Sequence, residues 1–422
     1  MKRCFRNMSN KIRVNSSVFQ DRLWTALSIS AHFTYASIIT LITTRFTDLT
    51  TAGVLALAIA IMELLRIVAI FGISPFQATD VKQTFCFSTY LHLRCMSTVL
   101  SLVVVCIVLI VGEFDLFAIT VVSLVFLIYS SDSFFDVFIC DLQQKSKMRV
   151  AGRIRATGYL GAMMAFTVTL FTTGALKVSL MLSWVAILNI YIIWIYYYRN
   201  HFTDIRSKTN FLTLRSLTSK ASYILATSII ATYLANAQKY YLRFFESEEF
   251  VIIYAIIVMP SALFHLLCNF IFQGGELTKT AEIFAQNEYS VFLRRVRNQA
   301  LLIIALYIPF IVSVYLLGIP LIALLYGIDF SEFRTNLLIM SFGGVFFVIS
   351  SLLSTVLVIM RKQGLILLCS LVCGFFVGPI MLQLVREYGF TGAAYFNVLL
   401  YAPSSVILCI FFVRSLKAAE KE

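Results

Sequence analysis

Long apolar runs, broken at short intervals by charged or turn-forming residues, dominate this sequence. A window of about 19 residues isolates twelve candidate spans near 23–44, 51–73, 91–112, 116–139, 156–175, 178–198, 221–238, 250–272, 299–317, 336–360, 363–384 and 391–413. Each is close to the ~20 residues that a helix needs to cross a bilayer. The pattern predicts an all-α polytopic membrane protein with twelve transmembrane helices. The 199–220 connection divides them, so that residues 22–198 and 221–413 each form a six-helix bundle. A segment over 1–21 and a tail over 414–422 flank the bundles.

Composition agrees. Of 422 residues, 60% are hydrophobic and 13% charged, against about 25% charged in a soluble domain. The mean hydropathy is +0.88. The basic, polar first 20 residues contain no apolar signal-peptide core. Charge then orients the chain. With the N-terminus inside, 27 of the 34 Lys and Arg fall on inner segments and six on outer ones. That is the positive-inside arrangement, with both termini cytoplasmic. The net +13 follows from this topology, so no nucleic-acid partner is expected.

The remaining cation is Arg66, with Glu63, in the middle of the apolar stretch 51–73. A charge at that depth costs about 2.5–3.5 kcal/mol on insertion scales, and is accepted where it faces protein or a hydrated cavity. Glu63 and Arg66 share a helix face. Either they neutralise each other, or Arg66 meets an anionic substrate while Glu63 serves proton or cation coupling. Asp132 and Asp136, four apart, either bind a coupling cation or lie solvated at the cytoplasmic mouth. Thr25, Ser28, His32 and Tyr35 form a polar stripe on the first span with Arg45 at its outer end; Ser228, Thr232, Asn236 and Lys239 do so on the seventh, beside Tyr240. Such stripes either line a cavity or hold helices together. Pro260, Pro309, Pro379 and Pro403 fall inside spans and kink them. The segment 276–297 is either an inner-leaflet amphipathic helix or a connector.

Enzyme signatures are missing. The sequence contains no GxSxG, P-loop, HExxH or dinucleotide glycine motif, the nine cysteines are scattered, and only four histidines occur. No catalytic residue, metal or cofactor is expected.

Several short elements carry a family resemblance. Thr44-Arg45 through Ala52-Gly53, Phe76–Lys82 followed by Phe87-Ser88-Thr89-Tyr90 and Leu93-Arg94, Asn236-Ala237-Gln238-Lys239-Tyr240, Leu325-Tyr326-Gly327 and Ile359–Gln363 resemble, in order and spacing, the Wzx-type bacterial polysaccharide flippases. These belong to the multidrug/oligosaccharidyl-lipid/polysaccharide exporter superfamily. Departures fall at Ser74-Pro75, Ile139-Cys140 and Gln273-Gly274. If those positions touch substrate in relatives, the resemblance implies a different substrate here. It also implies two six-helix bundles around a central cavity in the bacterial cytoplasmic (inner) membrane. The transported species would be an undecaprenyl-pyrophosphate-linked oligosaccharide of O-antigen (lipopolysaccharide), capsule or exopolysaccharide synthesis. Arg66, Lys239, Asn236, Arg45, Tyr240 and Tyr35 would contact it. Glu63, Asp132 and Asp136 would couple a proton or sodium ion. Further partners would be membrane lipids and the polysaccharide polymerase machinery. The alternatives are a drug/cation exporter of the same superfamily, or a membrane-embedded polysaccharide-modifying enzyme.

Overall fold

A computed structural model describes residues 2–74, 77, 85–145, 147–202, 210–273, 280, 283–284, 286–360 and 362–420. Among these, regular structure is entirely helical. The long helices are α1 (Lys2–Phe46), α2 (Leu49–Ile70), α3 (Phe87–Val111), α4 (Leu116–Gln144), α5 (Met148–Thr173), α6 (Leu176–Tyr197), α7 (Phe211–Phe245), α8 (Glu248–Gln273), α9 (Tyr289–Tyr326), α10 (Arg334–Ile359) and α11 (Gln363–Ala419). Ten of them are long and apolar enough to cross a membrane among the described residues. Helix α11 carries two of the twelve expected segments and is broken at Gly389, whose φ of 53° and ψ of −129° leave the helical region. The seventh expected segment lies on α7, which is outside those ten.

Backbone groups at the helix ends explain several boundaries. The Asp48 carboxylate accepts from the Thr51 amide at 2.8 Å and starts α2. Asp115 does the same for α4 through Ala118 at 2.9 Å. Each satisfies one of the amides that a helix N-terminus leaves unpaired. Helix α2 ends at Phe71 in the left-handed conformation, its amide returning to the Ile67 carbonyl. Helix α1 is helical from Lys2, well before the apolar part of its sequence. Of the segment 276–297, expected to be an amphipathic helix or a connector, residues 276–279, 281, 282 and 285 lie outside the described residues. From Tyr289 it is the start of α9, and Phe292 is fully buried. Residues 75, 76, 78–82, 274 and 361, which carry part of the family resemblance and of its departures, lie outside the described residues.

The chain forms two compact units, Met1–Ile229 and Ile230–Glu422, so the division falls within α7. In the first unit α2 packs against α1, α3 and α4, and α4 also packs against α5 and α6. Small residues make α2 easy to surround: Ala52, Gly53, Ala56, Ala58, Ala60 and Ala69 are all buried. In the second unit α10 has the central place, packed on α8, α9 and α11.

Candidate functional site

The first unit contains a network of charges inside its helices. Arg66 of α2 donates from a terminal nitrogen to Asp132 Oδ2 of α4 at 3.2 Å. The other Asp132 oxygen accepts from the Tyr191 hydroxyl of α6 at 2.9 Å, and Tyr159 of α5 also hydrogen-bonds this carboxylate. One turn along α4, Asp136 pairs with two cations. Arg94 of α3 reaches Oδ2 at 3.2 Å, and Arg155 of α5 donates to Oδ1. Ser74 also donates to Asp136.

The local chain explains why these groups meet. Ala69 lies in the last turn of α2, where carbonyls have no intrahelical partner and the helix end is partly negative. Its carbonyl accepts from Arg94 at 3.0 Å and from Ser97 at 2.6 Å. Arg94 therefore joins the end of α2, Ser74 at 2.9 Å and Asp136. A guanidinium has five donors in a fixed fork and suits this arrangement.

Exposure is uneven across the network. The side chains of Asp132 and Asp136 are 0% and 4% exposed, and Arg94 is 0%. Arg66 and Arg155 keep 22% and 20%. Three guanidiniums and two carboxylates leave one net positive charge. Both carboxylates are enclosed, and the accessible edges are cationic.

Three expectations change here. Asp132 and Asp136 are not solvated at a helix mouth: both are buried and ion-paired. Arg66 is not the sole cation within the helices, because Arg94 and Arg155, assigned from sequence to inner segments, lie in α3 and α5. The carboxylate that the structure places on Arg66 is Asp132, from another helix, while Glu63, three residues away, is half-buried on α2.

The other expected residues are placed as follows. Tyr35 is 1% exposed, shares a hydrogen bond of 2.7 Å with Ser183 of α6, and has its ring 5.4 Å from that of Tyr159. The polar stripe of α1 is thus directed at α5 and α6. His32 lies on the same stripe, edge-on to Tyr159 at 4.9 Å. Arg45 is exposed in the last turn of α1. Asn236, Lys239 and Tyr240 belong to the second unit. There Lys239 donates to Asn236 Oδ1 at 2.9 Å, and the Tyr240 ring stacks on Tyr233 at 6.2 Å. Among the described residues no group of His, Cys, Asp and Glu is arranged to hold a metal ion.

Arg155 was missed because it immediately precedes a hydrophobic window, and Arg94 because it lies in the first turn of one and was counted with the inner loop. A signal for Arg94 existed: Tyr90, Arg94, Ser97 and Ser101 recur at helical spacing, and all four are buried.

No family model matches the sequence, and no curated protein matches it. Solved structures do. The chain is similar to a multidrug resistance MATE family transporter of the MOP superfamily in an inward-facing conformation, with a TM-score of 0.71 and 11% identity, covering 94% of this chain and 99% of that one. It is similar to the Vibrio cholerae MATE transporter VcmN in its bent form, with a TM-score of 0.63 and 11% identity over 96% and 97%. A third is a MOP superfamily transporter from Pyrococcus furiosus, described as having a binding pocket of reverse polarity that suggests a different function. Its TM-score is 0.62 at 11% identity, over 96% of each chain. At such identities the likeness is one of fold.

Proposed function

We propose that this multi-pass membrane protein, with the fold of MATE transporters, moves an amphiphilic anion across the cytoplasmic membrane by alternating access. The substrate class is a polyprenyl-pyrophosphate-linked oligosaccharide, and the protein is a flippase, not an enzyme. The observation that supports this reading is the charge balance of the Arg–Asp network: three guanidiniums against two enclosed carboxylates, with Arg66 and Arg155 the partly accessible members. Guanidinium groups bind phosphate oxygens through paired, charge-assisted hydrogen bonds. A cation exporter would instead present its carboxylates.

In this reading Arg66 holds the pyrophosphate and Arg45 attracts it at the outer surface, while Lys239, Asn236 and Tyr240 are the second unit's own candidates for substrate contact. The prenyl tail stays in lipid. Glu63 is the candidate for coupling to a proton or sodium gradient. Asp132 and Asp136 set the geometry of the arginines, which replaces a direct cation-binding role. Tyr35 supports the α1–α6 contact.

The second reading is a drug/cation exporter, favoured by the multidrug transporter among the similar structures. Proteoliposomes separate the two. The flippase reading expects translocation of a short-chain lipid pyrophosphate–sugar and none of ethidium, with loss of translocation in Arg66→Gln. Transport of ethidium alone would sink it. In cells lacking the protein, a lipid-linked intermediate should accumulate in the inner leaflet.

A further inference from the structure

One face of α5 carries a stripe along most of its length. Met164, Val168 and Phe171 recur on it at helical spacing and are 67%, 61% and 71% exposed. In a membrane-spanning helix such a face meets lipid chains. Arg153 lies on the same stripe three turns before Met164, with Arg149 one turn earlier still. Arg155, two positions on, is about 200° around the helix and faces Asp136 instead. Between Arg153 and Phe171 an α-helix rises about 27 Å, close to the ~30 Å of a hydrocarbon core. Arg153 therefore stands at headgroup depth, where the lipid-facing surface ends.

Aromatic residues mark the same level. The Arg153 guanidinium lies over the Trp24 ring of α1, 5.1 Å from its centroid. One turn further in, Thr157 accepts from the Trp194 indole of α6 at 3.0 Å. Tryptophan is enriched at membrane–water interfaces. Trp24 is also fixed through its backbone. A Cβ at Gly152 would lie 2.7 Å from the Trp24 carbonyl, so α1 and α5 cross here with no side chain between them.

Arg153 has no anion beside it. Arg66, Arg94 and Arg155 of this unit pair with aspartates, whereas among the described residues Arg153 forms no ion pair. The first turn of α5 contains no acidic residue either, although negative charge is favoured at a helix N-terminus. A guanidinium stacked on an indole still presents N–H groups at its edge, in the fork that fits two phosphate oxygens. The other stacked cations differ. Arg334 donates to the Tyr315 carbonyl, Lys177 over Phe117 has no fork, and Arg199 lies over Tyr196 of its own helix.

We propose that Arg153, backed by Trp24, binds the phosphate of an anionic phospholipid at the α1–α5 crossing. The apolar stripe beyond Arg153 selects a lipid over a soluble phosphate, because it gives the acyl chains a surface to lie on. Leu23 and Leu27, beside Trp24 on α1, extend that surface at 52% and 37% exposed. Charge selects an anionic headgroup over a zwitterionic one. Arg149 adds a second cation on the stripe, and basic residues at this depth attract anionic lipid. The site is apart from the Arg66–Asp132 pair and does not depend on the flippase reading.

The test uses the purified full chain in neutral detergent with dioctanoyl phosphatidylglycerol, dioctanoyl phosphatidylcholine or inorganic phosphate. Native mass spectrometry measures retained lipid, and thermal unfolding measures stabilisation. Phosphatidylglycerol should bind about tenfold more tightly than phosphatidylcholine, and phosphate should not stabilise. Arg153→Gln should remove that preference, while Arg199→Gln should keep it. Equal affinity of the parent for the two lipids overturns the proposal. Equal losses in the two variants also overturn it, since they mean diffuse attraction to basic residues. Stabilisation by phosphate alone overturns the lipid assignment. Fluorescence of a Trp184→Phe/Trp194→Phe chain gives a measurement with Arg153 in place. Phosphatidylglycerol brominated high in its acyl chains should quench Trp24 more strongly than the matching phosphatidylcholine, and equal quenching rejects the site.

Discussion

The Arg66 guanidinium lies 3.2 Å from Asp132, across the α2–α4 contact and 66 positions along the chain. Removing one partner of a buried pair costs more than the pair contributes, because the other charge is left enclosed. Arg66→Gln strands Asp132, which has no exposure, and should cost about 3 kcal/mol, the low end of the range because Arg66 itself is partly accessible. Asp132→Asn leaves an arginine with some access to water and should cost less, about 1–2 kcal/mol. The double variant should be more stable than the sum of the two losses. Thermal or denaturant unfolding in detergent measures the cycle, and additivity within about 0.5 kcal/mol would mean the two side chains are not coupled.

Arg94 is bound by shape as much as by charge. Its two terminal nitrogens serve the Ala69 carbonyl, Ser74 and Asp136 together. Lysine keeps the charge but cannot span these acceptors. Arg94→Lys should therefore cost about 1.5–3 kcal/mol, the worth of one hydrogen bond to a charged group. It should also loosen the last turn of α2, seen as faster hydrogen exchange near Ala69. A lysine variant as stable as the parent would show that charge alone holds this corner.

The helices and the network differed in how far the sequence revealed them. Apolar runs report helices directly, so each of the twelve expected segments lies on a helix. Arg66 and Glu63 stood out because they interrupt such a run. Arg94 and Arg155 did not, since a hydropathy window treats a buried cation near a helix end as a loop residue. The pairing of Arg66 with Asp132 depends on how α2 and α4 pack. Spacing along one helix contains no information about that. The break at Gly389 was hidden for a related reason. The gap between the last two spans was visible, but not that the backbone would turn inside one nearly continuous helix.

Asp48 gives a pH-dependent helix start outside the apolar segment. Its carboxylate accepts from the Thr51 amide and from the Thr51 hydroxyl, each at 2.8 Å. These bonds favour the charged form and hold the carboxyl below its usual value. A depressed folded value means that the stabilisation is present above the unfolded value, about 3.9, and is lost as pH falls through the lower folded value. Exchange of the first amides of α2, corrected for its intrinsic pH dependence, should accelerate below about pH 4. Asp48→Asn should retain the cap and flatten that dependence. Asp48→Ala should cost about 1 kcal/mol at every pH above it.

Gly158 tests the network without changing any charge. A methyl group at this position would come within 2.3 Å of the Tyr191 ring, and Tyr191 is a hydroxyl donor to Asp132. Gly158→Ala should push the ring aside, cost about 1–3 kcal/mol as overpacking, and remove a donor from Asp132. Tyr191→Phe should reproduce the loss of the donor without the steric strain. If Gly158→Ala lowers lipid transport as Tyr191→Phe does, the shared cause is the orientation of Asp132. Normal transport in Tyr191→Phe would show that this hydrogen bond does not set the arginine geometry.

Gly389 is where α11 divides, and its backbone explains why the residue is glycine. A φ of 53° with a ψ of −129° is strained for any residue with a Cβ, by about 1–3 kcal/mol. Space is also short, since an added Cβ would lie 2.3 Å from the Glu246 carboxylate. The Glu246 side chain is flexible and could retreat, so the backbone term should dominate. Gly389→Ala should therefore destabilise the second unit even when paired with Glu246→Ala, which removes the clash but not the strain. If the double variant recovers parental stability, the carboxylate contact was the constraint. If the loss persists, the left-handed turn at 389 is what allows one helical stretch of 57 residues to serve as two segments.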